Sequence, residues 1–132
     1  MLQKVSVFLL AVFALLNTCG CALNMFKPAM RIGPTVWQEG VLSQNVRANM
    51  EQCISATEKA LEKLNYEITK KTVKDEAAEI MSNYPDGRII WIEIKPLDQK
   101  TSKLEIRVGA TGEKEPEIEV FKRVIHYLRK TR

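Results

Sequence analysis

Few residues of this 132-residue chain can do covalent or metal chemistry, because it holds three cysteines and one histidine. Beyond the leader region, Cys53 and His126 are the one thiol and imidazole that could act as nucleophile and base, and such a dyad requires the two side chains to face each other. Cys53 lies in the middle of the apolar face of a helix, where a cysteine is commonly a small hydrophobe. At about 100° per residue, His126 falls outside the apolar stripe Ile118, Phe121, Ile125 and Leu128 of a second helix. The two should point different ways. A zinc site takes three or four ligands from Cys, His or carboxylate, and this chain offers no such set. Glu113, Glu115, Glu117 and Glu119 are spaced by two at a helix start, so they fan around the axis and complement its dipole. Gly109-Ala110-Thr111-Gly112 lies between a strand and a helix, as a phosphate loop does. It lacks the following Lys-Ser/Thr, and Glu113 and Glu115 stand where an anion would bind. No catalytic residue, metal or cofactor is expected, and the protein is read as non-enzymatic.

Charge and composition narrow the class further. Charged residues make up 27% of the chain, with only six glycines and five prolines, which excludes collagenous or largely disordered chains. The length allows one domain. There are 20 Lys+Arg against 16 Asp+Glu. Removal of a leader containing Lys4 leaves a net charge of +3, too small for a nucleic-acid footprint.

The apolar residues concentrate at the N-terminus. Met1-Leu2-Gln3-Lys4 precedes Val5–Leu16, in which Ser6 is the one polar residue. A positive n-region, an apolar core and then small residues describe a secretory signal peptide. The run has 12 residues, whereas a membrane-spanning helix needs about 20. Residues 1–20 are therefore read as a leader. Its end, Leu15-Leu16-Asn17-Thr18-Cys19-Gly20-Cys21-Ala22, resembles a bacterial lipobox, in which a small residue precedes a cysteine that is diacylglycerylated and becomes the acylated N-terminus. Cys21 follows Gly20 and fits best. Cys19 follows the bulkier Thr18 and is the alternative, and Asn17-Thr18 departs from the Leu and small apolar residues of the pattern. A disulfide between cysteines two apart would be strained. More than one acyl chain makes a stable anchor. The resemblance implies a membrane-held envelope protein, and Ala22, in place of Asp after the cysteine, implies the outer membrane facing the periplasm.

The elements follow from periodicity. Residues 21–34 read as the lipidated cysteine and a tether. Ala22 to Pro34 contains Pro28, Gly33 and Pro34 without periodicity, and its 13 residues reach at most about 43–47 Å. Residues 35–132 read as a globular domain. Thr35–Leu42 is a short strand in which Gly40 marks a bulge. Ser43 stands as N-cap of a helix whose apolar face is Val46, Met50, Cys53, Ile54, Thr57, Ala60, Leu61 and Leu64, stopped at Asn65. Period two then marks strands over Tyr66–Val73, Ala77–Tyr84, Arg88–Lys95 and Ser102–Val108, with Pro85-Asp86-Gly87 as a hairpin turn. Pro116 opens a last helix. Val120, Val124 and Tyr127 widen its stripe, and basic residues gather towards its end. The order β-α-β-β-β-β-α defines an α+β, two-layer domain, an antiparallel sheet with two helices on one face.

From the lipobox onward, this chain resembles the small bacterial lipoproteins known as domain of unknown function 3568. The features that carry the likeness are the Cys21 region, Trp37-Gln38-Glu39-Gly40-Val41-Leu42 and the helix from Ala56 to Leu64 closed by Tyr66-Glu67-Ile68. The hairpin Pro85 to Leu97, the strand Leu104 to Gly109 and the closing helix complete it. These are patterns of fold, and they bring no catalytic residues with them.

Two surfaces remain as binding candidates for the envelope module so expected. If Ile90, Ile92 and Ile94 face the helices, then Ile89, Trp91, Glu93 and Lys95 face away, with Lys103, Glu105 and Arg107 beside them. Charged residues suit that outer face. Ile89 and Trp91 do not, unless the Val36–Leu42 segment or the tether covers them, and they form a candidate face for an envelope protein partner. Arg123, Arg129, Lys130 and Arg132 at the end of the last helix either compensate its dipole or meet anionic headgroups or peptidoglycan.

Overall fold

The computed structural model describes residues 29–131. The leader, Cys19, Cys21, most of the expected tether and Arg132 lie outside the described residues.

Two strands, β1 (Arg31–Gln38) and β2 (Val41–Val46), open the domain and are followed by α1 (Met50–Lys63). Four more strands then run consecutively: β3 (Ile68–Val73), β4 (Ala78–Asn83), β5 (Ile89–Pro96) and β6 (Ser102–Val108). The last helix is α2 (Lys114–Lys130). All six strands form one antiparallel sheet in the order β1-β2-β6-β5-β4-β3. Both helices pack against each other and against the central strands on one face. The expected α+β class and element order hold once the opening extended segment is taken as a hairpin.

That hairpin refines three sequence expectations. Gly40 is not a bulge within one strand. Glu39 at φ 53° and Gly40 at φ 77° form a two-residue connection, and positive φ at both central positions matches the twist of the flanking strands. The strand that follows buries Leu42, Gln44 and Val46 at period two, so Ser43 lies within it and the helix starts later. Asn49 is the true N-cap: its side chain accepts from the Gln52 N–H at 2.8 Å, and the Gln52 side chain accepts from the Asn49 N–H at 3.0 Å. This reciprocal box satisfies two of the donors that a helix start leaves open.

The third concerns the tether. Arg31 to Pro34 belong to β1, and Met30 is buried with its carbonyl accepting from Arg47. Pro34 is tolerated because β1 is an edge strand, where no outer neighbour needs its missing N–H. The pairing with β2 shifts register between Ile32 and Val36. Buried Gln44 holds the irregular stretch: its amide donates to the carbonyls of Ile32 (3.0 Å), Gly33 (3.2 Å) and Asn45 (3.0 Å), while its oxygen accepts from the Thr35 hydroxyl.

Elsewhere the boundaries lie close to those expected. The close of α1 is a Schellman arrangement, with Tyr66 N–H donating to Leu61 O, Asn65 N–H to Glu62 O, and Asn65 at φ 59°. Ile90, Ile92 and Ile94 of β5 and Leu104, Ile106 and Val108 of β6 are fully buried under the helices, each contributing about 1.5–3 kcal/mol through apolar burial. The register that faces Trp91 outward is therefore the observed one.

Candidate functional site

On α1, Cys53 is fully buried in the core. Burial pushes its thiol up to about 11, against a weaker opposing hydrogen bond with Ser102, so it stays protonated at neutral pH. His126 is exposed on α2 and stacks edge-on against Tyr127 at 5.1 Å. Cys53 is thus shut in the core while His126 faces out. Among the described residues no three His, Cys, Asp or Glu side chains gather into a group that could hold a metal ion. Nor is any helix there long and apolar enough to cross a membrane.

The acidic start of α2 departs from its expected role at one residue. Glu117 is fully buried. Its Oε1 accepts from the backbone N–H groups of Val108 (3.0 Å) and Glu113 (2.9 Å), and its Oε2 accepts from the Trp37 indole N–H at 2.7 Å. One side chain therefore ties the end of β6, the start of α2 and edge strand β1. The inner face of α2 is Glu117, Val120, Phe121, Val124, Ile125 and Leu128, while Ile118 moves to its half-buried margin. The signal was present in the sequence, since Glu117 precedes Val120, Phe121 and Val124 at helical spacings of three, four and seven. Glu113 instead pairs with Arg88, which also holds Asp86 at 2.7 Å and lies 4.8 Å from the Tyr84 ring centroid.

The Gly109–Gly112 loop has a structural reason for its glycines. Gly40 and Gly112 bring two backbones together, leaving no space for a Cβ at either position.

The outer face of the sheet is striped. Met81, Trp91 and Arg107 are directly paired across β4, β5 and β6. The Arg107 guanidinium lies 5.3 Å from the Trp91 ring centroid, a cation–π contact on a half-buried ring. Ile89 beside it is 49% exposed. Strands β2 and β6 lie between β1 and β5 in the sheet, so neither β1 nor its turn to β2 is a neighbour of these two residues. In the adjacent row Glu79, Glu93 and Glu105 stand side by side. Like charges directly opposite repel, and each has a lysine: Lys70, Lys95 and Lys103 respectively.

Arg123, Arg129 and Lys130 are exposed on α2. Arg129 lines a hollow with His126 and with Arg31 and Lys122, which sequence reasoning passed over, and Phe121 and Ile125 form its apolar part. Lys122, His126 and Arg129 recur at i, i+4 and i+7, which places them on one helical flank. No sequence pattern on β1 marks Arg31 as their neighbour. Arg123 lines an adjacent hollow with Glu119, Lys122 and His126.

A two-layer α+β domain emerges, with its interior polar groups spent on holding strands and loops together and its charged side chains arranged on two separate surfaces. The chain belongs to the family described as protein of unknown function (DUF3568), whose model matches residues 4–119. No curated protein matches it.

Proposed function

We propose that this chain is a lipid-anchored protein of the bacterial envelope that faces the periplasm from the outer membrane and acts by binding, without catalysis. The observation that carries the reading is positional: a lipobox-like leader ends just before Cys21, and only Ala22 to Ala29 stand between that cysteine and the folded domain, whose chain is already buried at Met30. Protonated, buried Cys53 and outward-facing His126 agree with a role outside catalysis. Metabolic labelling with a radioactive fatty acid tests the anchor. Cys21→Ser is expected to abolish acyl incorporation and leave the chain unprocessed or released from membranes. Retained labelling in that variant, with loss in Cys19→Ser, would move the anchor to the other cysteine.

The binding face proposed is the outer sheet surface around Trp91 and Ile89, for an envelope protein partner. Trp is suited to such a role because it offers a large, rigid contact area. Trp91→Ala is expected to cost about 1 kcal/mol through loss of the Arg107 contact and some packing, while removing crosslinked adducts formed in intact cells. Adducts unchanged in a folded Trp91→Ala protein would sink this face.

A further inference from the structure

The chain enters the domain beside a group of basic side chains. Arg31 is the first residue of β1, and its side chain meets the flank of α2 formed by Lys122, His126 and Arg129 over Phe121 and Ile125. No carboxylate lines this hollow, and the ion pairs among the described residues involve other cations.

Length sets the consequence. With Met30 buried and β1 starting at Arg31, the connection from Cys21 is Ala22 to Ala29, eight residues that reach at most about 26–29 Å. A domain of this size is roughly 30–35 Å across. The connection is therefore no longer than the domain is wide, and the entry edge must stay close to whatever holds Cys21. Cationic side chains feel an anionic surface within a Debye length of about 8–10 Å, and each one near the surface adds to the attraction.

We infer that the flank formed by Arg31, Lys122, His126 and Arg129 lies against the membrane and binds the phosphates of anionic phospholipid headgroups. The inference rests on anchoring through Cys21 and adds to it a fixed orientation. The β1–α2 edge faces the lipid, and the sheet surface bearing Trp91, on the opposite layer from α2, stays open to the periplasm. Of the basic residues near the end of α2, Arg129 belongs to this contact, whereas Arg123 and Lys130 are not among the residues that line the hollow.

The test uses the processed, acylated full chain reconstituted into vesicles of phosphatidylcholine alone or enriched in phosphatidylglycerol. Lysines are acylated briefly with a water-soluble amine reagent and quantified peptide by peptide, with Lys70 on β3 as an internal reference. Labelling of Lys122 relative to Lys70 is expected to fall on the order of tenfold in the anionic vesicles. High salt should restore it, as should Arg31→Gln/Arg129→Gln, an exchange of exposed residues that leaves the fold intact. A chain that floats with both vesicle types but shows equal Lys122 labelling overturns the orientation and leaves the anchor standing. A chain that does not float overturns the anchor and this inference with it. Protection by isolated peptidoglycan sacculi, but not by vesicles, would make cell-wall polymer the occupant and equally overturn the proposal.

Discussion

Gly112→Ala is expected to unfold the domain or to destabilise it by more than about 4 kcal/mol, a large share of the 5–15 kcal/mol typical of a domain. A Cβ at Gly112 would lie 2.0 Å from the Gly40 carbonyl oxygen and 2.4 Å from the Gly40 Cα, and one at Gly40 would lie 2.0 Å from the Thr111 oxygen. The atoms in the way are backbone on both sides, so no rotamer change relieves the contact. Both residues also have φ near +80°, where a side chain costs about 1–2 kcal/mol on its own. The contact joins the β1–β2 turn to the loop between β6 and α2, so separating the backbones would disturb both ends of the fold. Gly33 and Gly87 provide the control. They too have positive φ, but an added Cβ meets nothing within 4 Å. Gly33→Ala and Gly87→Ala should cost only the conformational strain. Urea midpoints for the three variants separate the two contributions. Equal losses at Gly112 and Gly87 would mean that the two backbones do not approach as described.

Glu117→Ala should produce the second large loss, about 3–5 kcal/mol. It strips acceptors from two backbone N–H groups and one indole N–H, and a buried donor left alone costs about 1–3 kcal/mol. Glu117→Gln is expected to cost less, about 1–2 kcal/mol, because its amide oxygen can still serve Val108 and Glu113 while its NH2 faces the indole donor. Trp37→Phe should cost about 1 kcal/mol or less, since Trp37 is 42% exposed and water can replace the indole at Oε2. The double variant Glu117→Ala/Trp37→Phe should then lose less than the two single losses added together. Strict additivity would show that the indole and carboxylate do not interact. A Glu117→Ala protein as stable as the parent would show that the carboxylate is not the acceptor of these donors.

Local rules account for much of this molecule. Ile90, Ile92 and Ile94 alternate with charged or aromatic neighbours, and so do Leu104, Ile106 and Val108. One buried face follows from that spacing, whichever strands are adjacent. Cys53, Ile54, Thr57, Ala60 and Leu61 announce α1 through the 3.6 period, and Asn65 stops it because asparagine tolerates positive φ. The same rules fail around Ser43. A serine ahead of an apolar period resembles a cap, but Leu42 and Val46 also fit period two, and the stretch is too short for periodicity to separate the alternatives. Pairing of β2 with both β1 and β6 decides it.

Periodicity and cap chemistry depend on neighbours within about four residues, so helices, strand faces and the outward direction of Trp91 were legible before any coordinates. Contacts across long stretches of chain were not. Glu117 reads as one of four dipole-compensating carboxylates until Trp37, 80 residues earlier, reaches it. Gly112 reads as a helix-preceding loop glycine until the Gly40 backbone fills the space beside it. Arg31 reads as part of a tether until Met30 is buried and β1 comes to lie beside Lys122 and Arg129. In each case the local preference was weak, and the choice fell to packing energy that exists only when the chain has closed its sheet between β2 and β6.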